Sequence, residues 1–261
     1  MNPLPGVIDD LIIFLFGACI GSFLNVCIYR IPESKSIVTP RSSCPRCGTF
    51  IKSYDNIPIV SWAWLGGKCR HCRSPIPIRY PMVELLTGMA AVSLYIKFGP
   101  TPTFLVFFLF VAVLLMITFI DIDHQIIPNI ISLPGIPIFF ALSFAVPDIS
   151  WIESAVGILV GGGSLYLVAM AYQLIKKAEG MGMGDMKLLA MIGALIGWKG
   201  VLFTVFVSSA LGAFVGGAMI LIHRGSLKTM VPYGPYISIG AIAYIFFGPQ
   251  LIDGYFRLVA P

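Results

Sequence analysis

Two sets of side chains in this 261-residue sequence have the type and spacing to do chemistry. The first is Cys44 and Cys47 in CPRC with Cys69 and Cys72 in CRHC, 21 residues apart. Paired Cys-x-x-Cys knuckles bring four thiolates to a tetrahedral ion, which is the donor set of a structural zinc site. Gly48 and Gly66-Gly67 supply backbone freedom for wrapping the ion. The alternatives are two disulfides or a redox dithiol, and His71 is a neighbour of the site rather than a needed ligand. The second set is a pair of aspartates beside long apolar runs. Asp185 lies in GMGMGDMKLLAMIG, between flexible glycines and an apolar stretch, and Asp121 is the first charge after an unbroken apolar run from Thr103. Two carboxylates at one level can share a proton, one activating water while the other polarises a carbonyl. Taken singly, Asp185 reads as a helix N-cap and Asp121 and Asp123 as a solvated helix end.

The elements that carry these residues are membrane-embedded. Hydrophobic residues make up 57% of the chain and charged residues only 11%, outside the range of a soluble domain. Apolar runs of spanning length recur. The expected fold is an all-α polytopic helix bundle of about eight transmembrane helices, over 8–28, 82–98, 103–121, 128–146, 153–175, 187–198, 201–222 and 235–250. The sixth is short, so it is tilted, re-entrant or continuous with the seventh. The chain divides into 1–29, a first transmembrane helix; 30–81, a tetra-Cys zinc loop; and 82–261, the remaining bundle. The first run follows Asp9 and Asp10 rather than lysines, so it reads as an anchor and not as a cleaved signal. Cys19 and Cys27, inside it, read as buried free thiols.

Orientation follows from the basic residues. Nine of seventeen Lys and Arg fall between Arg30 and Arg79. With that loop cytoplasmic, alternation also puts Lys176, Lys177, Lys187, Arg224 and Lys228 inside, leaving Lys97, Lys199 and Arg257 outside. Asp121 and Asp185 then share the cytoplasmic rim, where ionisable groups at membrane depth are costly and functional by default. A reducing cytoplasm disfavours the disulfide alternative. The net charge of +5 is accounted for by this asymmetry and anionic lipid, with no nucleic-acid partner required.

Residues 182–187, GMGDMK, match the GxGD signature of intramembrane aspartyl proteases in the form found in type 4 prepilin peptidases. GSFLNVCIYRIP at 21–32, the two cysteine knuckles, GGKCRHC at 66–72, PIPIRYPMVE at 75–84 and the Asp121 to Pro128 spacing resemble that family in order and position. The cysteine loop separates it from the presenilin and signal-peptide-peptidase relatives. The resemblance implies a bifunctional enzyme of the bacterial inner membrane. It would cleave the basic leader from prepilins and type II secretion pseudopilins, then methylate the new N-terminal amine with S-adenosylmethionine. It also implies Asp121 and Asp185 as the catalytic pair, Gly182, Gly184 and Lys187 as support for the catalytic loop, and Asp123 as the reserve candidate. Asn129 departs from the family, which often has Asp after the proline.

The methyl-transfer site is expected near the cytoplasmic loop, with Gly67, Asn25 and Glu84 as candidates. Gly161-Gly162-Gly163 is read as a helix-packing element rather than a cofactor loop, and His124 and His223 as surface or interfacial bases. A transporter predicts charges near several helix midplanes, which are nearly free of them here. A non-enzymatic zinc-bearing membrane scaffold explains the cysteines and leaves both aspartates as helix ends.

Overall fold

A computed structural model of the chain describes residues 6–176, 182–223 and 232–259. Among them are eight α-helices and no strand: α1 Val7–Arg30, α2 Val60–Trp64, α3 Arg79–Phe98, α4 Pro102–His124, α5 Asn129–Ser143, α6 Trp151–Lys176, α7 Met183–His223 and α8 Gly234–Val259. Of the basic residues used above for orientation, Lys177, Arg224 and Lys228 lie outside the described residues. Five helices, α1, α3, α4, α7 and α8, have segments long and apolar enough to cross a membrane, and α5 and α6 contribute shorter apolar stretches. The protein is a multi-pass membrane protein. The count of eight spans is not confirmed by these lengths, and the two runs at 187–198 and 201–222 are helical arms that meet inside α7 at a break, with no loop between them.

The cause lies at Gly197, whose φ of 68° and ψ of 178° break the helical path inside α7. A side chain on Gly193 would come within 2.9 Å of Val201 Cγ2. Eight residues of straight helix advance about 12 Å, so the two arms bend sharply toward each other. The left-handed φ is available to glycine without strain.

The chain forms two compact units, Met1–Met116 and Ile117–Pro261. In the first, α1 packs on α3. Gly17 lets the α3 backbone come close, since a Cβ there would stand 2.8 Å from the Thr87 carbonyl oxygen. Phe16 meets Phe108 at 5.4 Å and Phe98 stacks on Phe107 at 4.9 Å, tying the helices to α4.

In the second unit the first arm of α7 is the centre. Leu188, Leu189, Met191, Ile192 and Leu195 are all buried, and a helix apolar on every side belongs inside a bundle. α7 as a whole packs against α5, α6 and α8. The α6 contact runs through Gly157 and Gly161: a Cβ would fall 2.2 Å from the Gly193 carbonyl oxygen at the first and 2.3 Å from that of Leu189 at the second. Within apolar surroundings helix pairs are held by such close packing rather than by expulsion of water. Gly161 therefore serves packing, in line with the reading of the glycine triplet.

Candidate functional site

The four cysteines form one cluster, with all four sulfur ligand atoms within 4.8 Å of one another. Each pair sits in the same local fold. In the first, the Cys44 N–H donates to the Thr49 carbonyl at 2.9 Å and the Gly48 N–H to the Cys44 carbonyl at 2.9 Å. In the second, Cys69 N–H donates to Ser74 at 2.8 Å and Arg73 N–H to Cys69 at 3.0 Å. Short antiparallel bridges, Ser43 with Phe50 and Lys68 with Pro75, close the two knuckles.

The knuckle turn needs a left-handed residue four positions after the first cysteine. Gly48 supplies it with φ 69° in the first knuckle, but in the second it is Arg73, at φ 58°. Gly66 and Gly67, expected to wrap the ion, instead shape the approach to Cys69. Their φ values are 59° and 66°, and a Cβ on Gly67 would meet the Trp62 ring at 2.9 Å.

All six cysteines are free thiols. The Cys44 and Cys72 sulfurs stand 3.8 Å apart, as in a tetrahedral zinc tetrathiolate, where Zn–S bonds of about 2.3 Å imply S···S of roughly 3.8 Å. The Cys47 backbone amide, aided by that of Arg46 and by the Ser74 hydroxyl, lowers the Cys44 thiol from its ordinary value to about 6. The Ser74 hydroxyl and amide lower Cys72 as well. Thiolates are the metal-binding form, so the donor set fits zinc.

The aspartates belong to the second unit, and there the structure brings them together. Asp121 is buried near the end of α4, while Asp123, two residues further, is exposed. Asp185 lies in the first turn of α7. This helix begins at Met183, earlier than the apolar run indicates, so Asp185 is inside the helix and not the residue before it. Its position near the helix N-terminus puts it in the positive end of the macrodipole. The Asp121 carboxylate is close enough to Asp185 for their charges to interact.

Three contacts hold this arrangement. The Gly234 N–H, at the start of α8, donates to Asp121 Oδ2 at 2.9 Å. Gly184 lets the α7 entry press on Ile127, since a Cβ there would lie 3.0 Å from the Ile127 Cβ. Lys187 Nζ donates to Asn129 Oδ1 at 2.8 Å, joining the starts of α7 and α5. Gly182 keeps the space beside Asp185 open, with its missing Cβ 3.8 Å from Asp185 Oδ2.

Gly234 is the residue that sequence reasoning missed. A Cβ on it would fall 2.7 Å from Asp121 Oδ2, so glycine is what permits the amide to reach the carboxylate. The neighbouring Tyr233 hydroxyl is 2.9 Å from Ser208 Oγ, which fixes the α8 entry against α7. The signal available beforehand was Tyr-Gly-Pro-Tyr at 233–236, a turn ahead of an apolar run.

The family is decided by comparison with known proteins. Residues 15–98 match the bacterial peptidase A24 N-terminal domain, and residues 108–217 match the type IV leader peptidase family. A prepilin leader peptidase/N-methyltransferase from Aeromonas hydrophila is 34% identical over 94% of this chain and 92% of its own. The chain belongs to the type IV leader peptidase family. The protein of the same name from Pseudomonas aeruginosa is 34% identical over 93% of this chain and 92% of its own length. That from Myxococcus xanthus is 39% identical over 84% of this chain and 67% of its own. No solved structure matches the chain at a comparable level.

The remaining candidates lie in the first unit of this leader peptidase relative. Asn25 and Glu84 are buried on facing turns of α1 and α3. Asn25 Nδ2 donates to the Tyr80 carbonyl at 3.0 Å, and its buried Oδ1 has no partner. Glu84 Oε2 accepts the Ile59 N–H at 2.7 Å. Gly67 is apart from this pair, packed under Trp62.

Proposed function

We propose that this chain removes the short basic leader from type 4 prepilins and type II secretion pseudopilins at the cytoplasmic face of the bacterial inner membrane, and then methylates the exposed N-terminal amine. The observation that carries the hydrolytic half is the meeting of Asp121 and Asp185 at one end of α4 and α7, in a chain of the leader peptidase family. Two carboxylates whose charges interact disfavour double ionisation, so the pair is assigned one shared proton. The ionised one takes a proton from water, which attacks the scissile carbonyl, while the protonated one donates to the carbonyl oxygen. Return of the protons to the leaving amine and to the dyad completes hydrolysis without a covalent intermediate.

The surrounding residues place the dyad. The Gly234 amide holds one oxygen of Asp121, leaving the other for water or substrate. Gly182 and Gly184 keep bulk away from the α7 entry, so an extended substrate backbone can approach Asp185. Lys187, on Asn129, anchors the same turn.

For the second reaction, the unpartnered Asn25 oxygen and the Glu84 carboxylate are buried acceptors suited to an ammonium. They are the residues assigned to holding the amine or the methyl donor, with Gly67 acting through the Trp62 turn. S-adenosylmethionine, when bound, supplies an electrophilic methyl on sulfur. The chain's part is to hold the deprotonated amine in line with it. Zinc, held by Cys44, Cys47, Cys69 and Cys72, is structural and takes no step in either reaction.

The deciding experiment replaces Asp121 and Asp185 singly by Asn and follows both reactions. Leader cleavage is expected to fall by about three orders of magnitude or more in each, with Asp123→Asn mild by comparison. Methylation of an already cleaved pilin persists in all three, because it needs no activated water. A folded Asp185→Asn protein that cleaves a prepilin at the parental rate removes the protease assignment.

A further inference from the structure

Between the two knuckles the chain makes a one-turn 3-10 helix, Ser53–Asn56, and then α2. Ile59, just before α2, holds a φ of 63°, an uncommon conformation for a β-branched residue. It is held there by its amide, which donates to Glu84 Oε2 at 2.7 Å. Glu84 lies five residues into α3, about 7.5 Å along the helix axis from Arg79, where that candidate membrane span begins. The start of α2 is therefore docked at the depth of the membrane interface and not out in the aqueous loop.

The two faces of α2 are unlike. Trp62 is turned inward, its Nε1 donating to the Ile76 carbonyl at 3.1 Å and its ring against Gly67. On the other face Ile57, Val60 and Trp64 are 48%, 57% and 83% exposed. With Tyr54 and Leu65 they line an open cavity of about 220 Å³. Its charged lining is the Arg70–Asp55 ion pair, and Lys52 beside Tyr54 adds one cation in excess. Lys52 Nζ and the Arg70 guanidinium lie 5.6 and 5.4 Å from the centre of the Tyr54 ring. Arg70 uses Nε and Nη2 on Asp55, at 2.9 and 2.5 Å, leaving the Nη1 donors for another anion.

We infer that this face, Ile57, Val60 and Trp64 with Tyr54 at its edge, seats in the headgroup and upper acyl region of the bilayer, with Lys52 and Arg70 on phospholipid phosphates. The occupant is lipid because of depth and chemistry together. The loop is tethered at both ends to membrane-spanning helices, α1 and α3. Exposed apolar and aromatic groups bordered by cations are the composition of an interfacial anchor. The two cations complement anionic headgroups. Seating α2 also fixes the zinc loop against the membrane surface, independently of any reading of the enzyme's activity.

The test uses the full-length protein in lipid nanodiscs, as wild type and as Trp64→Phe, whose difference in fluorescence isolates Trp64 from the other tryptophans. Equal zinc content in the two verifies that the loop is intact. The expected result is at least a twofold loss of the Trp64 signal in discs of phospholipid brominated high on the acyl chain, and little quenching by aqueous acrylamide. Strong acrylamide quenching with no effect of bromination overturns the inference. So does shielding that arises only on adding a prepilin peptide, which would give the face to substrate. Photo-crosslinking of the unsubstituted protein with a diazirine phospholipid is the second measurement: adducts within 57–64 are expected, and their absence, with adducts present on the spans, overturns the inference even if Trp64→Phe disturbs the loop.

Discussion

Replacing Gly234 by Ala adds one methyl group beside the proposed catalytic pair. Gly234 is not among the glycines with positive φ, so its backbone accepts alanine and the substitution isolates the contact with Asp121. The new Cβ would stand 2.7 Å from Asp121 Oδ2, where ordinary contacts begin at 3.4 Å, so about 0.7 Å must be given up. The carboxylate is the end of a side chain and gives more readily than the helix. The expected result is a folded protein in which Asp121 is displaced and its 2.9 Å bond to the Gly234 amide is lengthened. Misplacement of a catalytic group by about 1 Å costs on the order of 100-fold, so leader cleavage should fall roughly 10- to 100-fold. The loss should appear in kcat, with KM nearly unchanged, since the methyl alters the dyad and not the substrate's remote contacts. The assay is cleavage of a purified prepilin in detergent or nanodiscs, with methylation of a pre-cleaved pilin as the internal control. Parental cleavage by the folded variant would show that the amide does not position Asp121. Equal loss of both reactions would show a damaged fold and defeat the argument as well.

Two further predictions concern the cysteine loop. Serine at Cys44, Cys47, Cys69 or Cys72 removes one tetrahedral thiolate, so bound zinc, measured by elemental analysis of purified protein, should fall from one per chain to well below one. Full zinc retention in all four variants would mean that the loop is held another way. Arg73→Gly should tighten the loop, because a non-glycine residue in the left-handed region costs about 1–2 kcal/mol, offset in part by the greater chain entropy of glycine. A net gain of about 0.7 kcal/mol would raise zinc affinity about threefold in chelator competition. Weaker binding would show that the Arg73 side chain contributes more than its backbone strain removes.

Much of this protein is legible in one dimension. A chain with 57% hydrophobic residues has few options other than helices in a membrane, and thiolate pairs at knuckle spacing carry their own geometry. The GMGDMK run marks a candidate residue for a similar reason: an acid between glycines and an apolar helix is conspicuous, while the role assigned to it comes from the family resemblance. Tertiary structure decided what those signals leave open. The runs at 187–198 and 201–222 read as two segments, but hydropathy cannot say how they join; the φ of Gly197 shows that they meet at a break of a single residue. Arg73 takes the left-handed position that sequence assigns to glycine, because the hydrogen bonds of the knuckle outweigh local preference there. The meeting of Asp121 with Asp185 depends on how α4, α7 and α8 enter the bundle. The Gly234–Asp121 bond joins the α8 entry to α4, and the Tyr233–Ser208 hydroxyl contact holds that entry against α7. Least legible was the Gly234 amide: every residue but proline carries a backbone N–H, so the donor has no side-chain signature, and only the folded chain brings it to Asp121.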